Sequence, residues 1–219
     1  MQPLTLNQKK AVIFDMDGVI IDSEPLHERS SRLVFAQHNL EIGDEIFNNF
    51  KGSTDRTILE YLVAEHGLDL EVDELLQQKR LTYASLIDEL QPIQGVIAFI
   101  NRIAPHFRMA LTTSASRRNK ELAFSKFNLH SFFEIVITSD DITNPKPDPE
   151  PYQVTTRKLD LSPADCLVIE DSFNGVQSAA SAGCTVVGIT TSFDAAALKT
   201  AGARIVIDGY DELQPMLLG

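Results

Sequence analysis

The 219-residue chain has no tryptophan and only two cysteines, Cys166 and Cys184. Each cysteine lies in or beside an apolar run. Both read as reduced core residues of a cytoplasmic protein, and a disulfide framework is excluded. No His or Cys cluster has the spacing of a zinc site. Long apolar runs are missing too. The longest clean one, residues 96–100, is far shorter than the roughly 20 residues of a membrane span. Residues 1–10 are polar, so no secretory signal is expected. Basic residues are few: 19 Lys and Arg against 31 Asp and Glu leave a net charge of −12. That balance disfavours non-specific nucleic-acid binding, which needs a basic surface to release counterions. An anionic ligand would need a local cation to overcome the global field. Repeats and low-complexity tracts are absent.

What is present is a full core's share of hydrophobic residues, 43%, and a length that suits one or two domains. Residues 10–14 are short, apolar and ended by Asp and Gly, which predicts a buried strand. Residues 23–90 are helical in texture. Leu26, Ser30, Leu33 and Val34 share one face; Ile58, Leu59, Leu62 and Val63 share another. Val72, Leu75, Leu76, Tyr83, Leu86, Ile87 and Leu90 keep helical spacing. Lys79 and Arg80 read first as a solvated face of that helix, with contact to a bound ligand as the alternative. From residue 91 strands and helices alternate. Strands are predicted at 108–112, 134–138, 166–169, 184–189 and 204–207, with helices at 117–127, 149–159 and 173–182. Alternation of this kind predicts a doubly wound, Rossmann-like parallel α/β sheet. The expected organisation is an α/β core of residues 1–22 and 91–219, with a helical cap domain, residues 23–90, inserted after the first strand as a lid.

Polar residues recur where the predicted strands stop. Asp15 and Asp17 follow the first. Thr112 to Arg118, "TTSASRR", follow the second. "TNPKPDPEPY", with Lys146, follows the third, and Glu170-Asp171 ends the fourth. In a parallel sheet these ends share one rim. Four carboxylates crowded there would repel or take up protons unless a hard cation joined them, and oxygen-only ligands suit Mg²⁺. Lys146, Ser114 and backbone N–H groups such as that of Ala115, at the opening of a helix, favour an anion. Together these groups describe a phosphate site. One carboxylate of the pair could attack phosphorus, and the other could protonate the leaving oxygen and then activate water.

"DMDGVIIDSE", "TTSAS", "NPKPDPEPY" and "VIEDSFNGVQSAASAG" resemble the four motifs of the haloacid dehalogenase-like (HAD) hydrolases, most closely the β-phosphoglucomutase-like phosphatase branch. The resemblance implies that Asp15 is the nucleophile. Asp17 would be the general acid/base, with its backbone carbonyl on the metal. Ser114 would bind the transferring phosphoryl group, with Thr113 the other registration of that motif. Lys146 would bridge phosphate and nucleophile. Asp171 would ligate Mg²⁺, and Glu170 would sit on the metal or one step behind it.

In that branch the cap sets specificity, which singles out Glu24, His27, Lys51 and Arg56. The mutases carry an arginine four residues after the lysine; here that position is Asp55, with Arg56 one place on. The departure favours a Mg²⁺-dependent phosphatase of small phosphorylated metabolites such as sugar phosphates. A β-phosphoglucomutase is the enzyme alternative, and a phospho-accepting or metal-binding module the non-enzymatic one. A monomer is expected, with neither a nucleic-acid nor a membrane partner.

Overall fold

The structure, a computed structural model, describes residues 6–50 and 54–219. The chain forms two compact units: residues up to Asp22 together with Gln91–Gly219, and Ser23–Leu90. Strand β1 (Ala11–Phe14) is apolar and wholly buried. After a tight loop comes β2 (Ile21–Asp22). The helical unit follows: α1 (Glu24–Ala36), α2 (Asp44–Asn49), α3 (Asp55–Glu65) and α4 (Val72–Ser85). Returning to the first unit, β3 (Gln91–Pro92) pairs antiparallel with β2, Ile21 opposite Pro92. This short ladder, which the sequence did not announce, ties together the two points where the helical segment leaves and rejoins.

The rest alternates: α5 (Val96–Ile103), β4 (Arg108–Thr112), α6 (Arg117–Phe127), β5 (Ile135–Ile137), α7 (Glu150–Lys158), β6 (Cys166–Glu170), α8 (Phe173–Ser181), β7 (Thr185–Ile189), α9 (Ala195–Ala201), β8 (Ile205–Ile207) and α10 (Tyr210–Leu218). Among the described residues six strands form one parallel sheet in the order β5-β4-β1-β6-β7-β8. Successive side chains of β1 serve opposite faces, as strand geometry requires. Ala11 and Ile13 join Tyr152, Leu159, Val168, Val176 and Leu198 in one core cluster. Phe14 packs edge-on against Phe99 and Phe133. Both faces of the sheet are therefore covered, which permits near-continuous apolar strands. Cys166 is buried in the first cluster and Cys184 packs against it partly buried; both are free thiols. Among the described residues no helix is long and apolar enough to cross a membrane.

The helical unit has its own core of Val34, Phe35, Phe47, Leu59, Leu62, Leu75 and Leu76. Three expectations need correction here. Leu33 lies off the buried stripe of α1 and is 41% exposed. The last helix ends at Ser85 and gives way to a 3₁₀ turn, Ile87–Glu89. Lys79 is not solvated: it is 3% exposed. It follows Leu75 by one helical turn and precedes Tyr83 by another, so α4 turns it inward with them. Its ammonium is paired with Asp55. Arg80 is exposed.

Candidate active site

The strand order places a switch point beside β1. From β1 the sheet continues to β4 and β5 on one side; β6, β7 and β8 lie on the other. Crevices at such points, outside the carboxyl ends of the strands, are where α/β folds take ligands. Asp15 follows β1, and its N–H extends the ladder by donating to Ile169 O at 3.0 Å. Glu170 ends β6, with Asp171 next in the chain. Two acidic strand ends therefore stand side by side.

Lys146 connects them. Its Nζ donates to Asp15 Oδ1 at 2.7 Å, Glu170 Oε1 at 2.6 Å and Thr112 O at 3.1 Å. The lysine and both carboxylates are buried. Burial works against the Lys146 charge, but Asp15 and Glu170 outweigh it and hold the ammonium pKa above its ordinary value. Glu170 has further donors. Tyr152 Oη reaches the same Oε1 at 2.8 Å, while Oε2 accepts from Asp171 N, Ser172 N and Ser172 Oγ. Burial pushes the Tyr152 phenol well above its ordinary pKa, and Glu170 adds to the effect, so Tyr152 stays a donor.

Asp171 is buried and accepts from Ser192 Oγ. Its pKa is pushed up to about 8, by burial first and then by the Glu170 charge, against the Ser192 bond. Asp15 is also raised well above the usual carboxylate value. Burial is the main cause, and Glu170, Asp171 and Asp17 add to it against the Lys146 ammonium. Among the described residues Asp15, Glu170 and Asp171 each offer an oxygen within 4.8 Å of the others. Carboxylates that would rather hold protons than face one another are short of positive charge. An all-oxygen set of this kind fits a hard divalent cation. The five donors already on Glu170 leave Asp15 and Asp171 as the readier ligands. Asp17 is half-buried, near enough for its charge to act on both Asp15 and Asp171.

Two glycines make this packing possible. Gly18 has φ +71°, and a Cβ there would stand 1.8 Å from Asp171 Oδ2. A Cβ on Gly175 would stand 1.9 Å from Glu170 Oε1. Neither site tolerates a side chain without moving a carboxylate. Gly18 O accepts from Thr191 Oγ1 at 2.6 Å, which links the loop after β1 to the end of β7.

The helix after β4 opens at Arg117, where its sequence places it, with Ser116 as its cap, so the segment from Thr113 to Ser116 precedes the helix. Ser114 is exposed. Arg117 N donates to Asp140 Oδ2 and Asn119 N to Ser116 Oγ. The Ala115 N–H donates to Thr113 Oγ1 at 3.0 Å, so an anion would have to displace that hydroxyl. Thr113 is buried, which leaves Ser114 as the hydroxyl open to a ligand.

Within the helical unit, Glu24 is the exposed first residue of α1. His27 stacks on Tyr83, ring centroids 4.6 Å apart, with Nδ1 4.0 Å from Asp55 Oδ1. Arg56 is paired with Asp73 and Glu60 on an exposed surface. Asp55, not Arg56, faces His27 and Lys79. Lys51 lies outside the described residues. Sequence reasoning did not single out Tyr152, Ser192 or Gly175 for the site. Tyr152 stood in the quoted "KPDPEPY" and Gly175 in "VIEDSFNGV", but only coordinates show which carboxylate each one meets.

A family profile described as haloacid dehalogenase-like hydrolase matches residues 12–189. A phosphorylated carbohydrates phosphatase of Thermotoga maritima is 30% identical over 204 residues, covering 90% of this chain and 94% of that one. A beta-phosphoglucomutase of Bacillus subtilis is 28% identical over 188 residues, covering 82% and 83%. The crystal structure of a Thermotoga maritima protein superposes with a TM-score of 0.84 at 28% identity, over 95% of this chain and 98% of that one. With its acidic rim at the switch point, its Rossmann-like sheet and its helical insertion, the chain belongs to the haloacid dehalogenase-like hydrolases, in the branch that includes β-phosphoglucomutase.

Proposed function

We propose that the chain is a Mg²⁺-dependent phosphatase of small phosphorylated carbohydrates, working through an aspartyl phosphate on Asp15. The observation that carries this reading is the buried Lys146 ammonium, bonded at once to Asp15 and Glu170 beside Asp171. Asp15 and Asp171 would hold the cation, with the Asp17 carbonyl, and Glu170 would act from behind through Lys146. Mg²⁺, when bound, supplies positive charge to the phosphoryl oxygens.

Lys146 keeps Asp15 oriented and its charge partly offset, so one carboxylate oxygen can attack phosphorus as the bond to the leaving oxygen breaks. Asp17 donates its proton to that oxygen, and the alcohol departs. Ser114 would hydrogen-bond the transferring group. Asp17, now ionised, takes a proton from water as the water oxygen attacks phosphorus. The P–O bond to Asp15 breaks, phosphate leaves, and both carboxylates return to their starting states. The names of the relatives support carbohydrate phosphates as the substrate class.

Mutase chemistry is the second reading, favoured by the Bacillus subtilis relative. Against it, Asp55 occupies the mutase arginine position and is paired with Lys79. A panel of carbohydrate monophosphates with a free-phosphate readout, run with and without Mg²⁺, tests the proposal. Mg²⁺-dependent phosphate release is expected. Conversion of glucose 1-phosphate to glucose 6-phosphate with little free phosphate would instead establish the mutase.

A further inference from the structure

The tyrosine beneath Lys146 has no part in the chemistry above, yet it touches that lysine in two ways. Tyr152 lies in the first turn of α7 and is wholly buried. Its ring lies under the ammonium, with Lys146 Nζ 5.0 Å from the ring centroid. Its hydroxyl and the ammonium share one acceptor, Glu170 Oε1, at 2.8 and 2.6 Å. One turn further along α7, Thr155 Oγ1 meets Thr112 Oγ1 at 2.6 Å. Helix α7 is thus fixed at one point to β4 and at the other to β6, the two strands that flank β1.

A lysine ammonium has three donors, and the three acceptors found for it here are Asp15, Glu170 and Thr112 O. Its position is a balance between two carboxylates. Whatever draws electron density from Glu170 Oε1 weakens the pull on that side and leaves Lys146 closer to Asp15. A hydroxyl donating to the same oxygen does this, and the ring face supports the cation from below. We propose that Tyr152 is a positioning residue: by sharing Glu170 Oε1 it sets how Lys146 divides between Glu170 and the nucleophile Asp15. The inference rests on the proposed roles of Asp15 and Lys146.

The test is a double-mutant cycle with p-nitrophenyl phosphate and Mg²⁺, using Tyr152→Phe and Lys146→Ala alone and combined. Phe keeps the ring and its volume, and Glu170 keeps its other donors, so the melting temperature should stay close to wild type. Tyr152→Phe is expected to lower kcat about 10-fold, the scale of one charge-assisted hydrogen bond, with KM changed less than about 2-fold. In the Lys146→Ala background the same substitution should change kcat less than about 2-fold, because the group it positions is gone. Installing 3-fluorotyrosine at 152, which keeps the hydroxyl, should restore kcat. A Tyr152→Phe enzyme as fast as wild type overturns the inference, and so does an equal loss in both backgrounds. Should Tyr152→Phe fail to fold, Glu170→Gln replaces it in the cycle; a loss additive with that of Lys146→Ala overturns the inference. Failure of the underlying reading looks different: Lys146→Ala alone would leave kcat unchanged.

Discussion

At the scale of single residues, the site gives two chemically identical side chains different surroundings. Asp15 is buried, bonded to Lys146 and surrounded by other acids. Asp17 is half-buried, two residues on, past the end of β1. In the proposed mechanism, environment rather than residue type separates the nucleophile Asp15 from the acid/base Asp17. The separation predicts a leaving-group effect. Asp17→Asn should slow release from a sugar phosphate by roughly 10² to 10⁴-fold, the range for a general acid. Release from p-nitrophenyl phosphate should suffer much less in the first step, because its phenolate departs without a proton. Steady-state and burst kinetics with both substrates check this, and equal losses would remove the acid role from Asp17. The acidic end of β1 was legible in the chain because like charges directly after an apolar strand call for a countercharge, and Lys146 meets Asp15 there. Ser192 and Tyr152 were not, because nothing in their local sequence marks a serine or a tyrosine that bonds a carboxylate 21 or 18 residues away.

At the scale of elements, the strand ends were easy to read and the helices less so. β4 has the bounds its sequence predicts, Arg108–Thr112 around the apolar residues 109–111. α5 (Val96–Ile103) was visible only as an apolar run, too short for its helical period to show. In α4 the charge of Lys79 suggested solvent, whereas its spacing from Leu75 and Tyr83 put it inside. The period was the better guide because the buried ammonium finds Asp55 on α3. That tie between helices has a pH signature. Burial works to raise the Asp55 pKa, but Lys79 first, then His27, outweigh it and hold it below its ordinary value. The unfolded chain therefore takes up the proton first as pH falls. Stability from the pair is complete above the ordinary value and is lost as pH drops through the folded one. Asp55→Asn should cost roughly 2 kcal/mol at pH 7, less than a fully buried pair because Asp55 is partly open to solvent. Urea unfolding at pH 7 and near pH 3 measures it; the deficit should shrink in acid. A deficit independent of pH would mean that Asp55 acts through packing alone.

At the scale of the whole molecule, a chain with net charge −12 concentrates one of its cations where the sheet's topology reverses. Residues 15, 112, 146 and 170, distant in sequence, meet around a single ammonium. That meeting was legible because parallel strands ending in polar residues share a rim. The order of strands, and hence which two ends are neighbours, was not legible, since it depends on crossovers that no local pattern records. The proposed mechanism requires Asp15 to carry the phosphoryl group. The direct measurement is to quench the turning-over enzyme with borohydride, which reduces an acyl phosphate to an alcohol, and to map the product by peptide mass spectrometry. Homoserine is expected at position 15, dependent on substrate and Mg²⁺. An enzyme that releases phosphate while position 15 remains aspartate throughout, or that is reduced at another carboxylate, would contradict the mechanism.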